Sequence, residues 1–278
     1  MNFIPVKSLK KAVFSIIASA LIITPAIAHD IYIWPSYFNI NADKPKHVSV
    51  DITASHTTFR PDFAMPSNDL KVLGVDGKKL RRVGSFFQGN TRSTFDLHVK
   101  EPGTYGLFYE REASYFTSYI IGKRDTKKHL RANKVDAVAQ LPKGAREVET
   151  RGYATIAMSF LTNKAPTTEA LAATNKGFEL IALTHPSDYV TSEPIEVKAL
   201  FNGKPVEKQT IIIEKEGPQY SKNPEALELT TDENGLATFT FTEGGRYLLK
   251  TNHEQASDSE LADFDVTRIF YAFEVIFE

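Results

Sequence analysis

The sequence holds no cysteine and only one tryptophan among its 278 residues. Without thiols there is no disulfide framework, no lipid-modified cysteine and no thiolate metal centre. Any transition metal would have to be held by nitrogen and oxygen. An excess of one charge is missing too: 33 basic side chains face 34 acidic ones, for a formal net charge of -1. That balance removes the basic footprint a nucleic-acid partner requires. Enzyme motifs are also wanting. There is no G-x-S-x-G elbow, P-loop, H-E-x-x-H or glycine-rich dinucleotide turn, and the spacing of serine, histidine and aspartate marks no triad, so no catalytic activity is expected.

Long apolar runs are absent except at the start. Lys7, Lys10 and Lys11 precede an apolar stretch from Ala12 to Ile23, followed by Ala26-Ile27-Ala28. A basic opening, a short apolar core and a small-x-small end are the parts of a cleavable signal peptide. The core is shorter than the roughly 20 residues needed to span a bilayer. Residues 1–28 are therefore expected to be removed, leaving a soluble chain that begins at His29. An exported protein without disulfides, long enough to build a large core, suits the periplasm of a Gram-negative cell.

What is present reads as strand. Val48-Ser49-Val50-Asp51-Ile52, Ile195-Glu196-Val197-Lys198-Ala199 and Ala237-Thr238-Phe239-Thr240-Phe241 alternate with period two, and Ile211 to Ile213 are β-branched throughout. The run from Val266 to Phe277 is aromatic and β-branched, fit to close a second sheet. A long-period repeat adds organisation. Thr94-Phe95-Asp96-Leu97 with Glu101-Pro102-Gly103-Thr104-Tyr105 recurs as Thr238-Phe239-Thr240-Phe241 with Glu243-Gly244-Gly245-Arg246-Tyr247. Upstream of each copy lies a hairpin signal, Asp76-Gly77 and Asn202-Gly203. Tyr247 is expected to lay its ring on the core with its hydroxyl at the rim. The expected fold is all-β: two immunoglobulin-like or transthyretin-like β-sandwich domains, at 29–161 and 177–278, joined by a polar linker at 162–176. A short helical insertion is expected over Thr126 to Gln140. Tyr32, Trp34, Tyr37 and Phe38 are expected to be core, the alternative being that they line a ligand surface.

Histidine is the residue type with chemical promise. A chain starting at His29 carries an α-amine beside an imidazole, and the two can close a chelate ring on one ion. One further imidazole would complete a T-shaped set of three nitrogens suited to copper(II). The alternative is that His29 merely starts a strand, with Ile31 and Ile33 turned inward. The further ligand candidates are His185 and Asp188, in the turn Thr184-His185-Pro186-Ser187-Asp188; His253, beside Glu254 at a strand end; and His56, with Asp62 nearby. Each has a plain structural alternative as a turn or strand-end residue. His47 and His98 fall near or within strands, and His129 lies among Lys127, Lys128 and Arg131, which repel a cation.

The opening His29-Asp30-Ile31-Tyr32-Ile33-Trp34-Pro35-Ser36 resembles the NikK-like periplasmic proteins, a family otherwise carried as a domain of unknown function. The likeness continues through Asp51 to Ser55, Phe59 to Phe63, Arg92 to Asp96 and Pro102 to Tyr105. It resumes at Gly177 to Leu180, Thr184 to Asp188, Gly203 to Pro205, Thr231-Asp232-x-x-Gly235 and Gly245 to Tyr247. Some members are named as periplasmic components of nickel uptake systems. The resemblance highlights His29, His185 and Asp188, departs from the family at His56, and adds nothing for His253.

Three functions are consistent with these features. The favoured one is a periplasmic accessory protein that binds a transition metal ion (nickel, copper or zinc) and assists a membrane transporter or outer-membrane receptor in uptake. The second is a scaffold module without metal, docking on such a partner or on a carbohydrate. The third is a copper oxidase of the N-terminal-histidine kind.

Overall fold

The computed structural model describes residues 29–217, 220 and 226–277. The expected export segment, residues 1–28, lies outside the described residues. The chain is almost entirely strand. In order, β1 is Asp30–Pro35, β2 Asn39–Ile40, β3 Lys46–Ser55, β4 Phe63–Ala64, β5 Leu70–Leu73, β6 Phe86–Gln88 and β7 Ser93–Val99. The long β8 (Gly103–Ile121) is followed by β9 (Thr126–Leu130), a single helical turn α1 (Lys134–Ala137) and the long β10 (Arg146–Asn163). The second half contains β11 Phe178–Ala182, β12 Ile195–Phe201, β13 Lys204–Pro205, β14 Thr210–Lys215, β15 Leu227–Thr230, β16 Leu236–Phe239, β17 Gly245–Ala256 and β18 Phe264–Val275. Among the described residues no helix is long and apolar enough to cross a membrane.

These strands form three layers. One sheet runs β1-β3-β7-β6, with β4 on β3. A second runs β11-β12-β13, with β16 on β12. Between them lies a large sheet ordered β15-β14-β17-β18-β10-β8-β5, to which β2 and β9 attach. Alternation along its strands assigns each face a different core. Leu107, Tyr109, Leu248, Phe270 and Ala272 pack with Val48, Val50, Ile52, Phe95 and Leu97 of the first sheet. Their neighbours Leu249, Tyr271 and Phe273 pack with Leu180, Val197, Ala199 and Phe239 of the second. The fold is thus two immunoglobulin-like sandwich cores sharing a central sheet. The aromatic C-terminal run is a strand buried on both faces, which is why its apolar residues are continuous. Parallel pairing of β10 with β18, from Arg151↔Phe264 to Met158↔Tyr271, joins the two halves.

The sequence repeat marks two equivalent corners. In each, a strand of an outer sheet crosses by a glycine-containing turn into the central sheet, and a tyrosine ties the crossing back. The Tyr105 hydroxyl accepts from the backbone N–H groups of Lys100 and Glu101 and donates to the Glu101 carbonyl. The Tyr247 hydroxyl donates to the Glu243 carbonyl at 2.6 Å. This is the tyrosine corner of immunoglobulin-like sandwiches. Tyr247 stacks on Phe241 at 4.0 Å. The hairpin signals differ in kind. Asn202 and Gly203 both take positive φ, as a type I′ turn requires, whereas at the other turn Gly77 does and Asp76 does not.

The short helical insertion is present but much smaller than the stretch Thr126 to Gln140. Thr126–Leu130 is a strand paired with the far end of β8, and only the single turn α1 follows, capped where the Asn133 side chain accepts from the Asp136 N–H at 2.8 Å. The apolar residues that suggested an amphipathic helix find no core: Val135 and Val138 are exposed. The stretch 162–176 opens on the last two residues of β10 and carries a 3₁₀ turn, Glu169–Leu171, whose Ala170 and Leu171 are buried. Tyr32, Trp34 and Phe38 are core residues, as expected, but Tyr37, expected with them, is exposed and lies under Lys46.

Candidate metal site at the start of the first strand

Strand register creates the site. β1 and β3 run antiparallel with Asp30 opposite Ser55, so one step further out His29 stands opposite His56. Their rings meet edge to face, with centroids 4.0 Å apart. The Phe63 ring closes a second side at 4.6 Å from the His29 ring. The segment after β3 doubles back through a tight turn in which the Arg60 N–H reaches the Thr57 carbonyl at 2.9 Å. Phe59 adopts a φ of 60° there, a conformation that side chains rarely take. Its burial and its stacking on Trp34 at 4.6 Å hold it. That turn brings Asp62 beneath His56.

The hydrogen bonds settle which nitrogen of His56 is available. Asp62 Oδ2 accepts from the His56 backbone N–H at 2.8 Å and lies 3.1 Å from its Nδ1. A carboxylate only accepts, so Nδ1 carries the proton and Nε2 keeps its lone pair. Carboxylate-backed imidazoles of this kind are typical of metal ligands, because the carboxylate fixes the ring and raises its basicity. These bonds hold the Asp62 carboxyl below its usual pKa. On His29, Nε2 is buried with no hydrogen-bond partner. Desolvation, and then the neighbouring His56, lower the His29 pKa below its usual value of 6.5, so the ring is neutral at pH 7.

Charge near the site is balanced towards the negative. Lys250 Nζ lies 2.5 Å from Asp30 Oδ2 and 2.8 Å from Glu214 Oε2, and Thr58 donates to the same Glu214 oxygen. Burial raises the Asp30 pKa, with Lys250 acting against it. Arg268 donates to the Thr155 hydroxyl at 2.8 Å and keeps its charge, which acts on His29. With Asp62, three carboxylates face two cations around His29.

The other expected ligands do not converge here. His185 packs against the ends of β8 and β10, on the face of the central sheet turned away from the first sheet. Its Nδ1 accepts from the Ser187 N–H at 3.2 Å, capping the turn Pro186–Asp188. Its Nε2 lies 3.1 Å from the Thr167 carbonyl, which can only accept, and 3.0 Å from the Thr104 hydroxyl. Both nitrogens are therefore committed to the fold. Asp188 accepts from the Ser187 hydroxyl at 3.0 Å. His253 lies flat on Phe178 at 4.8 Å and within 3.2 Å of Gln209 Oε1, again on that other face. Among the described residues no group of three or more histidine, cysteine, aspartate or glutamate side chains is arranged to hold a metal ion. A third ligand beside His29 and His56 has to come from elsewhere, and an α-amine at residue 29 would be adjacent.

Comparison with known proteins gives one family. The family model described as "Domain of unknown function (DUF4198)" matches residues 26–255. No curated protein matches the sequence. Among solved structures, the D0-D1 domain of intimin is 15% identical, with 87% of this chain and 96% of that one covered, at a TM-score of 0.20. The Yersinia pseudotuberculosis adhesin InvE is 14% identical, with 87% of this chain and 58% of that one covered, at a TM-score of 0.22. TM-scores this low carry no argument about function.

Proposed function

The chain belongs to the DUF4198 family, and on that premise we propose that it is an exported protein that binds a transition metal ion between His29 and His56. The observation that carries this reading is their juxtaposition: facing imidazoles, with His56 fixed through Nδ1 by Asp62 so that its Nε2 lone pair stays free. If export removes residues 1–28, the His29 amine joins its own ring as a chelate and His56 Nε2 supplies a third nitrogen. The amine, with a usual pKa near 8, loses its proton readily on binding at neutral pH. A nitrogen-rich set without sulfur suits copper(II) or nickel(II), with zinc(II) as the tetrahedral alternative. Such a set leaves coordination positions open, which suits a carrier that passes its ion on. The role that follows is a periplasmic accessory to metal uptake, with a membrane transporter or outer-membrane receptor as its partner and no catalysis of its own.

A second reading, a metal-free scaffold module, is favoured by His185 and His253, whose rings serve the fold. Calorimetric titration of the mature chain separates the two. On the metal reading one ion binds at this site, and His29→Ala or His56→Ala abolishes binding there while His185→Ala leaves it unchanged. Absence of binding by copper(II), nickel(II) and zinc(II) at micromolar concentration would leave the scaffold reading.

A further inference from the structure

On the outer face of the first sheet, towards the end of β3 remote from His29, a second pair of histidines stands in register. β3 and β7 run antiparallel with His47 opposite His98. Alternation turns Val48, Val50, Phe95, Leu97 and Val99 into the core, and His47 and His98 out towards solvent. The two rings lie nearly parallel, with centroids 4.4 Å apart and planes 14° from coplanar. Among the described residues the histidine nitrogens that make hydrogen bonds belong to His56, His185 and His253. None belongs to this pair. Lys46, the nearest cation along β3, is drawn aside over the Tyr37 ring at 4.9 Å.

We propose that His47 and His98 form a second metal site, a two-histidine clip for a nitrogen-preferring divalent ion, copper(II) or nickel(II). Directly opposed residues of an antiparallel pair have Cβ atoms about 4.5–5.5 Å apart, so the ladder itself sets both imidazoles side by side. A modest rotation of each ring about its Cβ–Cγ bond turns one nitrogen of each towards a common ion, in adjacent coordination positions. Little side-chain freedom remains to be lost on binding, because stacking already confines the rings. Asp96 and Lys100, each two residues from His98, are the diagonal neighbours of His47; Asp96 is placed to add an oxygen, while Lys100 brings a cation beside the pair. Water fills the remaining positions. Copper(II) binds such a pair more tightly than nickel(II), following the usual order of divalent ions. An ion held across β3 and β7 cross-links them, so binding also stabilises the fold in proportion to occupancy.

The clip needs no free α-amine and is independent of the site at His29. The test uses the full mature chain with His29→Ala and His56→Ala, which removes that first site. Copper(II) chloride and nickel(II) chloride are titrated by calorimetry, with histidine ring protons followed by NMR. The expected result is one ion bound, with the His47 and His98 signals broadening before those of any other histidine, and affinity falling at least roughly tenfold in His98→Gln and in His47→Gln. The thermal midpoint of the background chain rises with added ion, and that rise disappears in both glutamine variants. Both positions face solvent, so the variants keep the fold. Unchanged affinity in His98→Gln, or broadening spread evenly over all exposed histidines, would overturn the clip and leave the reading of the His29 site standing.

Discussion

His29 and His185 are the two histidines the sequence most invites one to pair, and the fold puts them to opposite uses. Around His185 every polar atom of the ring is matched: one nitrogen takes a backbone N–H, the other gives its proton to a carbonyl, and a hydroxyl stands beside each. Around His29 the matching stops short. One ring nitrogen is buried with nothing to bond, and the neighbouring ring of His56 has been oriented by a carboxylate without being used up. A ring nitrogen that the fold does not use keeps a lone pair or a proton that a ligand can take up. The difference teaches that for histidine, satisfaction of the ring is a better guide to function than position in a turn or loop.

The comparison breaks most readily at His185. Replacing it with alanine strips the cap from its turn and leaves the Thr167 carbonyl and Ser187 N–H unpaired, at a cost of about 2–4 kcal/mol in stability. Chemical denaturation would measure the loss, and metal affinity should not move. The reverse pattern belongs to Asp62→Asn. Without its carboxylate the His56 ring is neither fixed nor made more basic, so affinity falls by about 10- to 100-fold, while stability, measured the same way, changes little. Equal losses of affinity from both variants would erase the distinction.

The two tyrosine corners allow a finer comparison. Tyr105→Phe deprives two backbone N–H groups and a carbonyl of a partner, whereas Tyr247→Phe frees one carbonyl. Losses of about 1–2 and about 1 kcal/mol are expected, in that order, by urea denaturation.

The smallest effect concerns pH. Burial between aromatic rings lowers the His253 pKa below its usual 6.5. The unfolded chain then takes up a proton near that value that the folded chain refuses. Its contribution is full above about pH 6.5 and is lost as pH falls below it. Thermal midpoints recorded between pH 7.5 and 5 should fall less steeply in His253→Gln than in the parent.

Much of the fold could be read from the chain. The alternating runs became β3, β12 and β16, and the repeat became the two corners, because both are local properties of a strand or turn. Which strands share a sheet is not local. The parallel pairing of β10 with β18, more than a hundred residues apart, left no mark beyond the unbroken apolar run of β18. Helix was expected at Thr126–Gln140 because its few apolar residues fit the helical period, but pairing with the overhanging end of β8 offered the backbone a better set of hydrogen bonds. The site was legible at one end only. His29 was singled out by chemistry, through the amine that export would free, whereas His56 looked weaker than His185 and His253. Its value comes from the register of β1 on β3 and from the turn that delivers Asp62, neither of which is written in the residues around it.

The central claim is that the site needs an amine at residue 29 as well as two rings. The most direct measurement compares copper(II) and nickel(II) titrations of a chain beginning at His29 with the same chain carrying one alanine in front of it. Every side chain is then identical and only the amine is displaced. The account predicts one tightly bound ion for the first chain and affinity lower by orders of magnitude at this site for the second. Equal binding by both chains would contradict it.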